Sequence, residues 1–420
     1  MAMSTLPQPP PLEGGGCRFN PSPSRGEGRV GVLTRTAWIL PAVLLAGLAL
    51  SFAIPAYGLV NKYQQMILMY VGINIILAVS LNLVNGYMGE FSLGSAGFMA
   101  VGAYTASFAT VRLLPAALAH LGLAPDVLFS WGFPLAVLAG GLMAALFGLM
   151  VAFPSFKTRG DYLALVTLAF LMIVKSAIEN LDVIGGPRGF LGMKRLTTLP
   201  WVYAWTVLTL LVIRNFVYSR FGRGVLAVRE DEIAAELTGV DTRRAKFLAF
   251  TLSAFFSGVA GGLFAHLLQF ISPRVFDIIK STDVLIMVYL GGIASIGGSV
   301  LGATIYTVLL EALRPSAVAW AFGWLPAPLF EPFNAHVIAH LNVWRMVIMP
   351  LLLVLVMLYR PRGIMGLREV RWLVPRRDRE ALGTSHPPPA PSPQGRGGNG
   401  KSLPIEGGGE GGGGNGGGWT

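Results

Sequence analysis

The stretch Gly395-Arg-Gly-Gly-Asn-Gly400-Lys401-Ser402 fits the phosphate-cradling loop of nucleotide-binding proteins letter for letter. Such a loop works because successive backbone N–H groups turn toward the phosphates and a fixed lysine reaches them, which needs a buried strand before it and a helix after it. Here a Pro-rich run precedes it and Leu403-Pro-Ile-Glu406 and a Gly run follow, so the match is one of letters only. His336 and His340 have the spacing of two metal ligands on one helical face, but no Glu follows the first and no third ligand is evident. Lys175 and Glu179 stand four apart, which predicts a neutralising pair. His266 stands alone in an apolar run and predicts a hydrogen bond to a neighbour. A single cysteine, Cys17, excludes an internal disulfide and a thiolate metal cluster. There is no nucleophile–base arrangement and no dinucleotide fingerprint, so the residues point away from an enzyme and from a cofactor held in this chain.

A different chemistry is on offer in Asn85-Gly-Tyr-Met-Gly-Glu-Phe-Ser-Leu-Gly-Ser-Ala-Gly-Phe-Met-Ala-Val-Gly-Ala-Tyr104, where glycines at 86, 89, 94, 97 and 102 are too dense for an ordinary helix. Inside a bilayer, irregular backbone must be buried in protein or line a cavity, and interrupted helices are where transporters hold substrate. Gly89, Glu90, Ser92, Gly94, Ser95 and Gly97 are therefore a candidate translocation path. Close helix packing through small residues accounts for the same glycines, and both readings stand at this point. A stripe at four-residue spacing, Ala249, Ser253, Ser257, Gly261 and Ala265, flanked by Ala254, Gly258 and Gly262, reads as packing. A second Gly-rich break, Leu290 to Gly302, faintly echoes the first.

The elements that must position these residues are membrane spans. The chain of 420 residues is 53% hydrophobic and 13% charged, the composition of a membrane protein and not a soluble domain. Its net charge of +11 sits at span ends and in the tails, which topology explains better than nucleic acid does. Residues 1–36 and 375–420 are rich in Pro, Gly, Ser and Arg and are read as disordered tails around a permease domain at 37–374. Look-alike runs in the two tails leave open a start downstream of Met1; no signal-peptide cleavage pattern is evident, and the first apolar run is long enough to remain as an anchor. About ten spans of roughly twenty residues fall near 37–57, 65–84, 93–112, 132–153, 161–180, 201–218, 246–269, 282–297, 299–313 and 343–359. The eighth and ninth are short and Gly-rich, as broken or re-entrant helices would be. Basic flanks put both termini, the 154–160 link and the 219–246 loop in the cytoplasm. The 113–131 and 314–342 loops lie outside, and so by alternation does 181–200, despite Arg188, Lys194 and Arg195.

The 219–246 loop is a polar island carrying Arg220, Arg223, Arg229, Arg243, Arg244 and Lys246. Glu230-Asp231-Glu232 supply negative charge for a helix N-terminus and Gly239 is placed to end that helix. Ile233 and Leu237 share one face, and Ala234 and Ala235 keep the body thin. A two-turn helix held between spans suits docking into a partner's groove.

Ile233-Ala-Ala-x-x-x-Gly239 resembles the Glu-Ala-Ala-x-x-x-Gly loop of ABC importer permeases, with Ile233 where that motif has Glu and Glu232 one place early. The wider run Arg229-Glu-Asp-Glu-Ile-Ala-Ala-Glu-Leu-Thr-Gly-Val240 is similar to branched-chain amino acid permeases of the LivM type. So are the element Gly89, Ser92, Leu93, Gly94 and Phe98, the pair Arg159-Gly-Asp-Tyr-Leu-Ala164 and Gly185-Gly-Pro-Arg-Gly189, and the exit Tyr359-Arg-Pro-Arg-Gly-Ile-Met-Gly366. The likeness covers about residues 60–315. It implies an all-α, type II importer-like permease in a bacterial inner membrane. It also implies that Arg229, Glu230, Asp231, Glu232, Ile233, Ala234, Ala235, Leu237 and Gly239 form the helix that couples to an ATPase. The implied partners are a LivH-type permease, two cytoplasmic ABC ATPase subunits that bind the ATP, a periplasmic solute-binding protein and the bilayer, with no nucleic acid. The solute is a branched-chain or other hydrophobic amino acid, with urea or amides as further options. The alternative is an ion-coupled secondary transporter, for which Glu90, Asp283 and Glu311 would be the coupling candidates.

Overall fold

Apolar runs of helical length become helices throughout residues 46–58, 60–115, 125–156, 162–314 and short stretches between 347 and 366, which are the residues the computed structural model describes. The expected tails, Cys17, the phosphate-loop look-alike, the His336–His340 pair, and Lys157 and Arg159 lie outside them. In chain order the helices are α1 (Ala46–Tyr57), α2 (Lys62–Asn82), α3 (Ser95–Phe108), α4 (Pro125–Ser155), α5 (Tyr162–Glu179) and α6 (Leu199–Val217). They continue with α7 (Arg220–Glu230), α8 (Glu232–Leu237), α9 (Thr242–Leu268), α10 (Ile278–Gly291) and α11 (Ile296–Ala312). Among the described residues there is no strand; Phe190 and Ile271 form one isolated bridge that ties the α5–α6 connection to the α9–α10 connection.

Five segments are long and apolar enough to cross a membrane: Lys62–Met88, Gly132–Ser155, Tyr162–Glu179, Leu199–Val217 and Thr242–Leu268. The two short, Gly-rich runs near 282–313 are α10 and α11, of 14 and 17 residues. At about 1.5 Å per residue neither covers the roughly 30 Å of a hydrocarbon core. They form a broken pair turned at Gly292 to Ser295. Asn82 holds that turn from α2, its Nδ2 donating to the Ser295 carbonyl at 3.0 Å and its Oδ1 accepting from the Ala294 N–H at 3.0 Å. The exit segment docks on the same break, with the Ile364 and Met365 N–H groups donating to the Leu290 and Gly291 carbonyls.

Helix α9 is the centre of the bundle because its small residues let backbones meet. A Cβ on Gly261 would strike the Met99 carbonyl of α3, and one on Gly258 would strike Ala144 and the Gly140 carbonyl of α4. Seen from α3, a Cβ on Gly102 would strike the Gly258 backbone. Such contacts trade side-chain volume for backbone approach, which is how helices associate where water supplies no drive. The same helix meets α2 through hydroxyls: Ser253 Oγ donates to the Ser80 carbonyl at 2.6 Å, and Ser257 and Ser80 share a hydrogen bond of 3.1 Å. His266 is buried and hydrogen-bonded to Thr110 Oγ1 and the Gly262 carbonyl, each at 2.8 Å. Lys175 does not pair with Glu179. It reaches across to Asp277, which caps α10, at 3.0 Å. A tertiary partner whose carboxylate the Ile278 N–H already holds in place wins over one on the same helix.

Candidate functional site

The polar island folds as a helix–corner–helix, built by local chemistry. Ser219 caps α7, its Oγ accepting from the Gly222 N–H at 3.2 Å. Gly222, Val225 and Val228 form the buried face of α7. The chain then extends at Asp231 (φ −159), and its carboxylate accepts from the Ile233 and Ala234 N–H groups at 2.9 and 3.0 Å, which starts α8. Two bonds stop it: the Gly239 N–H donates to the Glu236 carbonyl and the Val240 N–H to the Ala235 carbonyl. That pattern needs a left-handed residue after the cap, and Gly239 supplies it at φ +84.

The placement of α8 refines its expected face. Glu230 is the last residue of α7 and not part of the α8 N-terminus, because the corner falls at Asp231. Ile233 is 68% exposed and Leu237 84% exposed, an apolar pair one turn apart with Ala234 beside it. Ala235 turns the other way and is 4% exposed, because α8 folds back against α7 and the start of α9. It belongs to the hairpin's interior and not to its outward surface.

A lysine anchors this hairpin to the bundle. Lys246, one turn into α9, places Nζ 2.8 Å from Glu90 Oε1 and 2.9 Å from Glu232 Oε1. Its side chain is 10% exposed, against 20% for Glu90 and 48% for Glu232. Arg229 runs beside Gly89, where a Cβ would press on its Cγ. The α8 hairpin is thus fastened by charge and by contact to the residues that follow α2. Composition counted Lys246 as a topology marker only; a lysine inside the first turns of an apolar span was the signal for a buried partner.

The Gly-rich segment begins in a π-helical turn, Leu83–Met88, that closes α2, and Gly89 leaves it at φ +78. Its break lies at the α8 end of the bundle. Asn85 Oδ1 accepts from the Ser92 N–H at 3.1 Å, and Thr167 Oγ1 from the Leu93 N–H at 3.1 Å. Gly94 abuts Thr167 and Gly97 abuts Phe170 and Leu171, so both admit α5 closely. Ser92 and Ser95 are buried, and Ser95 Oγ and Asn85 Nδ2 have no hydrogen-bond partner among the described residues. The structure therefore unites Gly89, Glu90 and the α8 hairpin in one cluster, while Gly94, Ser95 and Gly97 lie deeper between α3 and α5. Among the described residues no group of three metal-ligating side chains comes together.

A family model described as the permease component of a branched-chain amino acid transport system matches residues 63–357. The chain is 32% identical over 373 residues to the high-affinity branched-chain amino acid transport system permease protein LivM of Escherichia coli (strain K12), covering 78% of each chain. It is 31% identical to LivM of Salmonella typhimurium, again over 78% of each. To the LivH permease protein of Salmonella typhimurium it is 27% identical over 212 residues, 50% of this chain and 60% of that one. No solved structure matches.

Proposed function

The chain belongs to the branched-chain amino acid transport permease family, a family of multi-pass membrane proteins that transport and are not enzymes, and from that premise we propose that it is the membrane-spanning subunit of an ATP-driven importer of hydrophobic amino acids. In this reading a LivH-type permease pairs with it, two ATPase subunits bind and hydrolyse the ATP, and a solute-binding protein delivers the cargo on the outer side of a bacterial inner membrane. The α7–α8 hairpin then faces the cytoplasm, and both termini lie on that side.

The observation that supports this reading best is the outward pair Ile233 and Leu237 on a capped helix too short to persist alone. An apolar pair held out by a rigid corner is what a protein groove receives. Arg229, Asp231, Glu232 and Gly239 shape the helix, and the Lys246 ion pairs carry its displacement to Gly89 and Glu90. Ion coupling is less well supported: Glu90 is held by Lys246, and Glu311 by Arg314 at 3.0 Å and by the Tyr63 hydroxyl.

The test is to replace Ile233 and Leu237 with Asp. Each side chain buried in a partner is worth about 1.5–3 kcal/mol. The double variant should insert normally, lose ATPase subunits on purification and lose uptake. Retained ATPase binding and wild-type uptake would remove α8 as the coupling element.

A further inference from the structure

Helix α10 ends at Gly291, and the last carbonyls of a helix find no donor within it. The Val288 carbonyl accepts from the Gly292 N–H at 2.9 Å. The Leu290 and Gly291 carbonyls accept from the Ile364 and Met365 N–H groups, each at 3.0 Å, so the exit segment closes a helix end that lies far from it in sequence. Gly363 lets the segment in. It is buried at φ +71, and a Cβ on it would stand 2.6 Å from the Gly292 Cα and from the Tyr289 carbonyl oxygen. Ile364 turns outward and is 51% exposed, so its hold on α10 is its backbone bond.

The tip under this segment keeps its shape only because its surroundings impose it. Ala294 stands at φ +59, a left-handed conformation that a residue with a Cβ adopts under constraint. The Asn82 amide constrains it from α2, through the Ala294 N–H and the Ser295 carbonyl. Gly86, in the π-helical turn that closes α2, abuts the same residue, where a Cβ would strike the Ala294 backbone. That turn leads on to Gly89 and Glu90, and through the Lys246 ion pairs to the α8 hairpin. The tip is therefore held by two fastenings of different kind. Asn82 is buried and belongs to the bundle. The exit segment is a short backbone contact at the surface, the kind that opens locally while the core stays folded.

We propose that residues 363–365 are a releasable strap on the tip of the α10–α11 hairpin. Fastened, the strap holds the tip against the π-helical turn of α2. Released, it frees the tip to shift when α8 is displaced. The proposal rests on the reading of the chain as the permease of an ATP-driven importer, which puts the strap on the cytoplasmic side, and it gives the exit motif a mechanical role.

The test uses the assembled transporter in nanodiscs and follows amide hydrogen exchange in peptides covering 290–296 and 363–366, without nucleotide and after trapping with ATP and vanadate. Exchange of both peptides should rise roughly tenfold on trapping, the scale of a lost backbone hydrogen bond, while α9 at the bundle centre stays protected. Equal exchange in the two states, or a rise that includes α9, would overturn the release. Met365→Pro removes the N–H that meets the Gly291 carbonyl. It should raise exchange of 290–296 roughly tenfold without nucleotide and let ATP hydrolysis run without matching uptake. Ile364→Ser keeps both N–H groups and should behave as wild type. Wild-type exchange of 290–296 in Met365→Pro would overturn the strap. Should that variant fail to insert, the comparison of the two wild-type states decides. A wild-type transporter that imports solute with ATP but shows no change at either peptide sinks the strap and leaves the importer reading standing. One that copurifies with no ATPase subunit and takes up no solute sinks the importer reading, and the release with it.

Discussion

Replacing Lys246 with Met removes the one charge that holds two carboxylates at the base of the α8 hairpin. Breaking a fully buried ion pair by deleting one partner costs about 3–5 kcal/mol, while an exposed pair is worth about 0–1 kcal/mol. Glu90 is 20% exposed and lies toward the first case; Glu232 is 48% exposed and lies near the second. The Glu90 carboxylate left alone therefore dominates, and Lys246→Met should lose about 2–3 kcal/mol once solvent screening is counted. Glu232→Gln should lose only about 0.5 kcal/mol. The discriminating variant is the double one. With Lys246 gone, Glu90→Gln removes the stranded charge and should recover about 1 kcal/mol. Thermal melts of the purified protein, compared across the wild type and the three variants, read these differences as shifts of several degrees. A Lys246→Met protein that melts with wild type, or a Glu90→Gln/Lys246→Met protein that melts below Lys246→Met, would refute the buried-charge reasoning.

Gly258→Leu should cost about 1–3 kcal/mol or more, because its Cβ meets Ala144 and the Gly140 carbonyl, which have no flexible end to move; Ser257→Ala, one residue away, should cost about 1 kcal/mol, and equal melting of the two would refute backbone packing at α4. Asp277 is held below the ordinary carboxylate range, first by the Ile278 N–H at 2.8 Å and then by Lys175 at 3.0 Å, against a partly opposing effect of burial. A depressed folded value means that its stabilisation is present above the unfolded value of about 4 and lost as pH falls through the folded value. Asp277→Asn should therefore cost about 0.5–1 kcal/mol at pH 7, screened by solvent, and the gap should close as pH falls through the depressed value of Asp277; a gap that widens in acid would reverse the assignment.

What was legible in the sequence was what a few adjacent residues decide. Asp231 and Gly239 start and stop α8 through bonds to backbone groups two to five residues away, so their types and spacing were enough. The packing stripe on α9 was legible for the same reason: a period of four is a property of one helix. Which way Ala235 faces was not legible, because periodicity gives two sides of a helix but not which one the next helix covers. Lys175 and Lys246 show the limit more sharply. Both have acidic residues nearby in sequence, yet Lys175 pairs 102 residues away, and Lys246 pairs with Glu90 156 residues away as well as with the nearby Glu232. The i,i+4 rule describes what an isolated helix can gain, a few tenths of a kcal/mol. In a bundle that term loses to any carboxylate the fold has already oriented, as the cap fixes Asp277 and the end of α2 places Glu90. A charged residue inside an apolar run therefore announces that a partner exists, and only the packing of the other helices says which one.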